Sequence, residues 1–176
     1  MKIKDREFVP FIGEREIDAT VRRLAAEVSG DMAGGEPLLV CPVLTGAFMF
    51  GSDLVRRLTV AAEVRFVKYS SYEGMGSTGT VNAELPFGEW LRGRDVLLVE
   101  DVVDTGLSIQ RMLDDIRAFG PKRVRVCALL FKPGSFRGNY KVDYVGREIG
   151  NEFIVGYGMD YDEAGRTLPE IFVVKG

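Results

Sequence analysis

An α/β fold is the architecture this sequence predicts: a central, mostly parallel sheet flanked by helices, with a small subdomain attached. Three observations lead there. Short apolar runs without alternation recur along the chain, as strands buried on both faces require. Stretches with apolar residues at helical spacing separate these runs, which is the βαβ rhythm of a parallel sheet. The length of 176 residues, 46% hydrophobic and 28% charged, suits a single domain with a sizeable core.

Taken in order, Ile17, Val21, Leu24, Ala25 and Val28 form a stripe that predicts a helix over 14–29. The continuous apolar run 38–43 reads as a buried strand, and Ala47, Phe50, Leu54, Val55 and Leu58 outline a second helix. Alternation through Val64 and Phe66 predicts a strand over 62–70. A Gly/Ser-rich loop follows over 71–80, and 81–85 is weakly extended. The clearest buried strand is 95–99, followed by a helix over 106–119 (Ile109, Met112, Leu113, Ile116) and a strand over 124–130. After Lys132 the pattern loosens into the pieces 142–145, 153–155 and 171–174, which read as a subdomain.

Composition removes whole classes of chemistry. There is no histidine, so Ser-His-Asp and Cys-His catalysis and histidine-ligated metals are excluded. A metal must then be a hard cation held by oxygen, and a general base must be a carboxylate, lysine or tyrosine. Twenty-three basic against 26 acidic residues give a net charge of −3, which argues against a nucleic-acid partner. No apolar run reaches the roughly 18–20 residues of a membrane span. The charged start, Met1 to Arg6, does not resemble a secretory signal, so a cytoplasmic protein is expected. Cys41 and Cys127 each sit within apolar runs and read as buried thiols. Glycine is abundant, 21 of 176, as loops with special backbone demands require.

The chemistry is concentrated after the strand at 95–99. There the chain reads Glu100-Asp101, Val102-Val103, then Asp104-Thr105-Gly106-Leu107-Ser108 into a helix. Ligands of open parallel sheets bind beyond the carboxyl ends of strands. A glycine and two hydroxyls at a helix N-terminus can wrap a phosphate monoester in backbone N–H groups. Singly, Glu100 and Asp101 read as the polar end of a strand and Asp104 as a helix N-cap. Together, three carboxylates would repel that phosphate unless they also bind ribose hydroxyls, hold Mg²⁺ or accept a proton. A sugar phosphate accompanied by a metal reconciles them. The run Gly74 to Gly79 spells GxGxxG, but no helical pattern follows it, so a dinucleotide fingerprint is rejected and a loop that closes over the site is expected instead.

The pattern of four apolar residues, Glu-Asp, two apolar residues and Asp-Thr-Gly-x-Ser resembles the phosphoribosyl-pyrophosphate signature of type I phosphoribosyltransferases. Over nearly its whole length the chain is similar to hypoxanthine-guanine phosphoribosyltransferases. The match is carried by Val43 to Met49, Ser71-Tyr72 through Gly79, Leu130 to Pro133, Asp143 to Gly146, Glu152 to Tyr161, and Arg166 with Leu168-Pro169. The resemblance implies the type I phosphoribosyltransferase fold as a single domain over 1–176. Its core would span about 30–132, and a hood would be built from the N-terminal residues and about 133–176.

It also implies roles. Glu100, Asp101, Asp104, Thr105, Gly106, Leu107 and Ser108 would hold the ribose 5-phosphate, with Asp104 catalytic. Thr45, Gly46 and Arg166 would bind pyrophosphate, and Ser71 and Tyr72 belong to the flexible loop. Lys132 would donate to the purine O6, Phe153 would stack on the base, and Ile154 and Asp160 would face its far edge. Mg²⁺ would be the cofactor, near Glu100, Asp101 and Asp160. The partners implied are phosphoribosyl pyrophosphate and a purine base, with no nucleic acid and no membrane, in a homodimer or homotetramer. Such a family commonly has Leu-Lys-Gly in its first loop, often with a cis peptide; here the middle residue is Thr45, so backbone groups remain and the lysine charge is gone. A rival reading on the same fold is a nucleotide-sensing regulator without catalysis. The acidic balance and the base-pocket residues Lys132, Phe153 and Asp160 stand against it.

Overall fold

The computed structural model describes residues 1–32, 35–69 and 83–175. Along the chain come β1 (Lys2–Ile3), β2 (Arg6–Ile12), α1 (Glu14–Asp31), β3 (Leu38–Leu44) and α2 (Phe48–Val55). Next are β4 (Ala62–Val64), β5 (Val67–Tyr69), β6 (Ala83–Leu85), a 3-10 turn at Glu89–Leu91 and β7 (Asp95–Val103). The chain continues with α3 (Leu107–Ala118), β8 (Arg123–Phe131), β9 (Tyr144–Glu148), β10 (Ile154–Val155) and β11 (Ile171–Val174). The central sheet has the order β6-β5-β3-β7-β8-β9, with β4 also on β3, and every pairing is parallel except β5 with β6.

Strand periodicity explains the layers. Leu38, Val40, Leu97, Val99, Cys127 and Leu129 point to one face and pack with Val21, Leu24 and Val28 of α1 and Phe50 and Leu54 of α2. The alternate residues Leu39, Cys41, Val96, Leu98, Val126 and Ala128 point to the other face, against Ile109, Met112, Leu113 and Ile116 of α3. The sheet is therefore covered on both sides, as its unalternating strands required. Each fully buried leucine contributes about 1.5–3 kcal/mol. Both cysteines are buried and unpaired, and burial pushes the Cys41 thiol up to about 12. Among the described residues no helix is long and apolar enough to cross a membrane.

The smaller sheet, in the order β1-β2-β11-β10, is antiparallel and forms the hood over a compact core of Phe8, Val155 and Phe172. Four features differ from expectation. Strand β2 is not signalled by the sequence pattern, because Pro10 interrupts it. The proline is tolerated since β1 covers only Arg6 and Glu7, and the pairing with β11 shifts register between Ile171 and Phe172, opposite Pro10. The strand expected over 62–70 breaks into β4 and β5, and the alternating Val64 and Phe66 are exposed while Val67 is buried. Strand β7 continues past residue 99 to Val103, because pairing with β8 persists through Glu100, Val102 and Val103. The boundary between core and hood also falls differently: β9 joins the central sheet beside β8, and α1 packs on that sheet.

At the opposite edge from the cleft, Asp95 is buried at the start of β7. It accepts from Lys122 Nζ at 3.0 Å and Arg123 Nε at 2.8 Å. Burial alone would raise its carboxyl, but these two hydrogen bonds outweigh it and hold Asp95 below the ordinary carboxylate range. A lowered folded-state value means stability that is present above the unfolded value and lost as pH falls through the folded one. Asp95→Asn is expected to lower unfolding free energy by about 1–3 kcal/mol at neutral pH. In urea melts as a function of pH, the gap to wild type should close below about pH 4; a gap independent of pH would show that the charge is not what matters.

Candidate active site

The site begins with strand register. In the parallel pair β7–β8, Val103 stands opposite Phe131, so the residues that follow, Asp104 and Lys132, leave the sheet side by side. The Lys132 N–H donates to the Val103 carbonyl at 2.9 Å, fixing the turn. Lys132 itself is buried, which an ammonium tolerates only with a partner. That partner is Asp104, whose Oδ2 accepts from Lys132 Nζ at 2.9 Å. The Asp104 carboxylate faces Lys132, and Gly106 is the N-cap of α3; Asp104 is not the helix cap.

A cleft of about 760 Å³ opens over this pair. On the sheet side it is walled by Thr45, Gly46, Asp101, Val102, Asp104 and Lys132. On the hood side stand Phe153, Ile154, Met159, Asp160, Glu163 and Arg166. Phe153 is 41% exposed, its ring 5.6 Å from that of Tyr161 in an edge-on arrangement and 5.8 Å from the Arg6 guanidinium. Arg166 Nη2 pairs with Asp160 Oδ1 at 2.8 Å and Glu163 Oε2 at 3.4 Å, while its Nη1 donates to the Gly158 carbonyl at 3.0 Å. The second Asp160 oxygen accepts from the Glu163 N–H at 2.8 Å.

The loop after β3 is wedged between sheet and hood. The Leu44–Thr45 peptide is cis. A Cβ on Gly46 would lie 2.0 Å from Asp101 Oδ2, so only glycine fits against that buried carboxylate. Asp101 Oδ1 meanwhile accepts from the Val102 N–H at 2.9 Å. Glu100, next to it, has its carboxyl pushed well above the usual range by burial and by the Asp101 charge. Two adjacent oxygen donors that resist sharing charge suit a hard cation or hydroxyl groups. Asp160 does not join them: among the described residues no three acidic or cysteine side chains converge on a metal position. Mg²⁺ is ordinarily held by one or two carboxylates plus substrate oxygens, so this donor set fits it without a protein cage.

Beside the cleft, the turn into α3 offers a cradle. Gly106 takes φ +75° as the N-cap, no side chain caps the helix, and the Leu107 N–H reaches only 3.5 Å to Thr105 Oγ1. The first-turn N–H groups are therefore available to an anion. Thr105, Leu107 and Ser108 are exposed around it. These three and Glu100 are outside the cleft wall itself. Ser71 and Tyr72 lie outside the described residues. Sequence reasoning missed Met159 and Glu163 on the hood side; a methionine and an exposed glutamate carry no local signal for such a role.

The phosphoribosyl transferase domain family model matches residues 13–162. The chain is 35% identical over 175 residues to the hypoxanthine-guanine phosphoribosyltransferase of Aquifex aeolicus, covering 99% of this chain and 98% of that one. It is 38% identical over 162 residues to the hypoxanthine-guanine phosphoribosyltransferase of Mycobacterium tuberculosis, covering 89% and 80%. A crystal structure of a hypoxanthine-guanine phosphoribosyltransferase from Bacillus anthracis, with HEPES in its active site, superposes with a TM-score of 0.88 at 35% identity, covering 99% of this chain and all of that one.

The Gly106 cradle makes a prediction that needs no ligand. A Cβ there would sit 2.4 Å from the Phe136 ring and 2.8 Å from the Tyr140 hydroxyl, in a left-handed backbone. Gly106→Ala should cost about 2 kcal/mol or more, lowering Tm by about 4–8 °C. Thermal unfolding followed by circular dichroism checks this, and an unchanged Tm would mean the turn relaxes freely.

Proposed function

As the chain belongs to the phosphoribosyl transferase domain family, we propose that it is a purine salvage enzyme. It transfers the 5-phosphoribosyl group of phosphoribosyl pyrophosphate to N9 of a 6-oxopurine, hypoxanthine and/or guanine, releasing pyrophosphate. The observation that carries this reading is the Asp104–Lys132 pair, one acceptor and one cation 2.9 Å apart inside a cleft. The N7 and O6 atoms of a 6-oxopurine lie side by side on one edge of the base. Lys132 donates to O6 and Asp104 accepts the proton at N7, so that the N9 lone pair forms the new bond to C1 as the C1–pyrophosphate bond breaks. A 6-amino group could not accept from Lys132, which gives the preference for 6-oxo bases.

The other residues take consistent places. Phe153, exposed on the cleft, supplies the apolar face for the base, with the Ile154 backbone and Asp160 at its far edge. Thr105 to Ser108 wrap the 5-phosphate in backbone N–H groups, and Glu100 and Asp101 face the ribose hydroxyls. Arg166 and the Thr45–Gly46 backbone receive the pyrophosphate, for which Arg166 must exchange its contacts with Asp160 and Glu163. Glu100 and Asp101, together with substrate oxygens, would hold Mg²⁺, which would supply charge neutralisation for the departing pyrophosphate. The protein acts in the cytoplasm as a homodimer or homotetramer; the exposed Val64, Phe66 and Leu85 support self-association, which size-exclusion chromatography with light scattering would measure.

Chromatography of the nucleotides formed from phosphoribosyl pyrophosphate and each base tests the reaction. IMP or GMP should form with Mg²⁺, cease with EDTA and return when Mg²⁺ is restored. Full turnover in metal-free buffer would overturn the metal's role, and binding of nucleic acid without nucleotide formation would favour a regulator. Asp104→Asn preserves shape but cannot take a proton; kcat should fall by about 10²–10⁴-fold with phosphoribosyl pyrophosphate affinity largely kept. A rate within a few-fold of wild type would reduce Asp104 to a partner for Lys132. For the residue that departs from the family's usual lysine, Thr45→Ala should leave the rate nearly unchanged. Thr45→Lys should lower the KM for phosphoribosyl pyrophosphate, by less as salt rises. A large loss in Thr45→Ala would show that the hydroxyl itself contacts the ligand.

A further inference from the structure

One turn of the hood is held by contacts that the transfer reaction leaves unassigned. Tyr157 is buried, yet its φ is +48°, a left-handed conformation that residues with a Cβ seldom adopt. Such a backbone persists only where its surroundings over-determine it. The Tyr157 N–H donates to the Leu168 carbonyl at 2.8 Å, and its hydroxyl donates to Asp53 Oδ2 on α2 at 2.7 Å. The other Asp53 oxygen meets Arg57 Nη1 at 3.2 Å, and Arg57 Nη2 reaches Asp18 of α1 at 2.6 Å. Burial, then the Asp53 carboxylate, push the Tyr157 hydroxyl far up, so it remains a donor across the working pH range.

What lies on each side of this hydrogen bond gives it a purpose. Gly158 presses on the Gly46 carbonyl so closely that a Cβ there would be 2.1 Å from it. The Gly158 N–H donates to the Arg166 carbonyl at 2.9 Å, and the Gly158 carbonyl accepts from the Arg166 guanidinium at 3.0 Å. Asp53 sits on α2, which starts at Phe48, directly after the Thr45–Gly46 loop. Both walls assigned to pyrophosphate are thus tied to the two ends of one partly buried hydrogen bond.

We propose that Tyr157 is a positioning residue whose hydrogen bond to Asp53 sets the placement of Arg166 against the Thr45–Gly46 backbone, and so the fit of the pyrophosphate end of the sugar donor. At the base end, Asp104 and Lys132 stand on other elements, at the ends of β7 and β8, whereas Phe153, Ile154 and Asp160 share the hood segment of Tyr157. This rests on the transferase reading above.

The test is steady-state kinetics with both substrates, alongside Tm, for wild type, Tyr157→Phe and Asp53→Asn. Tyr157→Phe should raise the KM for phosphoribosyl pyrophosphate by about three- to tenfold while the KM for hypoxanthine stays within about twofold. Asp53→Asn keeps a weaker acceptor and should fall between wild type and the phenylalanine variant; if Tyr157→Phe does not fold, the same split in Asp53→Asn decides. A Tm loss with both KM values unchanged, or an equal rise in both, would make the tether merely structural and overturn the proposal. Asp53→Asn more impaired than Tyr157→Phe would place the effect in the Arg57 ion pair and overturn it too. Wild-type protein that forms no nucleotide would overturn the transferase reading itself, whereas an active wild type without the split overturns this proposal alone.

Discussion

The parallel register of β7 and β8 is the constraint from which the site follows. Because Val103 pairs with Phe131, an acid and an ammonium emerge together at the carboxyl edge of the sheet. A buried lysine requires a counter-charge, and Asp104 provides it at 2.9 Å. A one-residue slip in that pairing would turn every side chain of β8 to the other face of the sheet and separate the two groups. The apolar runs that build the core therefore also set the chemistry: Val96, Leu98, Val126 and Ala128 on one face and Leu97, Val99, Cys127 and Leu129 on the other lock the register that places the pair.

The hood depends on the core in a second way, through close backbone approach. Gly46 lies against the Asp101 carboxylate on one side and Gly158 on the other, so sheet, first loop and hood meet at a point with no room for a side chain. Arg166 is presented from the same turn, already surrounded by Asp160, Glu163 and the Gly158 carbonyl. An arginine so engaged has its planar fork held in place by two carboxylates and a backbone carbonyl.

Legibility in the sequence follows how local each signal is. The run from Asp95 to Ser108 announces both a buried strand and a glycine turn into a helix, since the residue types needed are adjacent. The stripe Ile17, Val21, Leu24, Ala25 and Val28 likewise appears on the buried face of α1. Phe153, Asp160 and Arg166 are read through family resemblance, not from spacing, because nothing local in a mixed polar stretch marks a cleft. Long-range geometry is not legible: β2 is disguised by Pro10, β9 returns to the central sheet, and the partners Tyr157 and Asp53 are 104 residues apart. Nor can spacing tell that Asp160 engages Arg166 and the Glu163 N–H and stays apart from Glu100 and Asp101.

The role proposed for the paired Asp104 and Lys132 is to read the N7–O6 edge of the base. Its most direct measurement is the ratio of kcat/KM for hypoxanthine to that for adenine, in wild type and in Lys132→Met. A strong preference for hypoxanthine is expected in wild type. In Lys132→Met the ratio should fall by about 10–100-fold, the worth of a hydrogen bond to a charged donor, mainly from loss with hypoxanthine. A ratio unchanged by the substitution would contradict it, because the base would then be chosen by something other than the cation that β7–β8 pairing places beside Asp104.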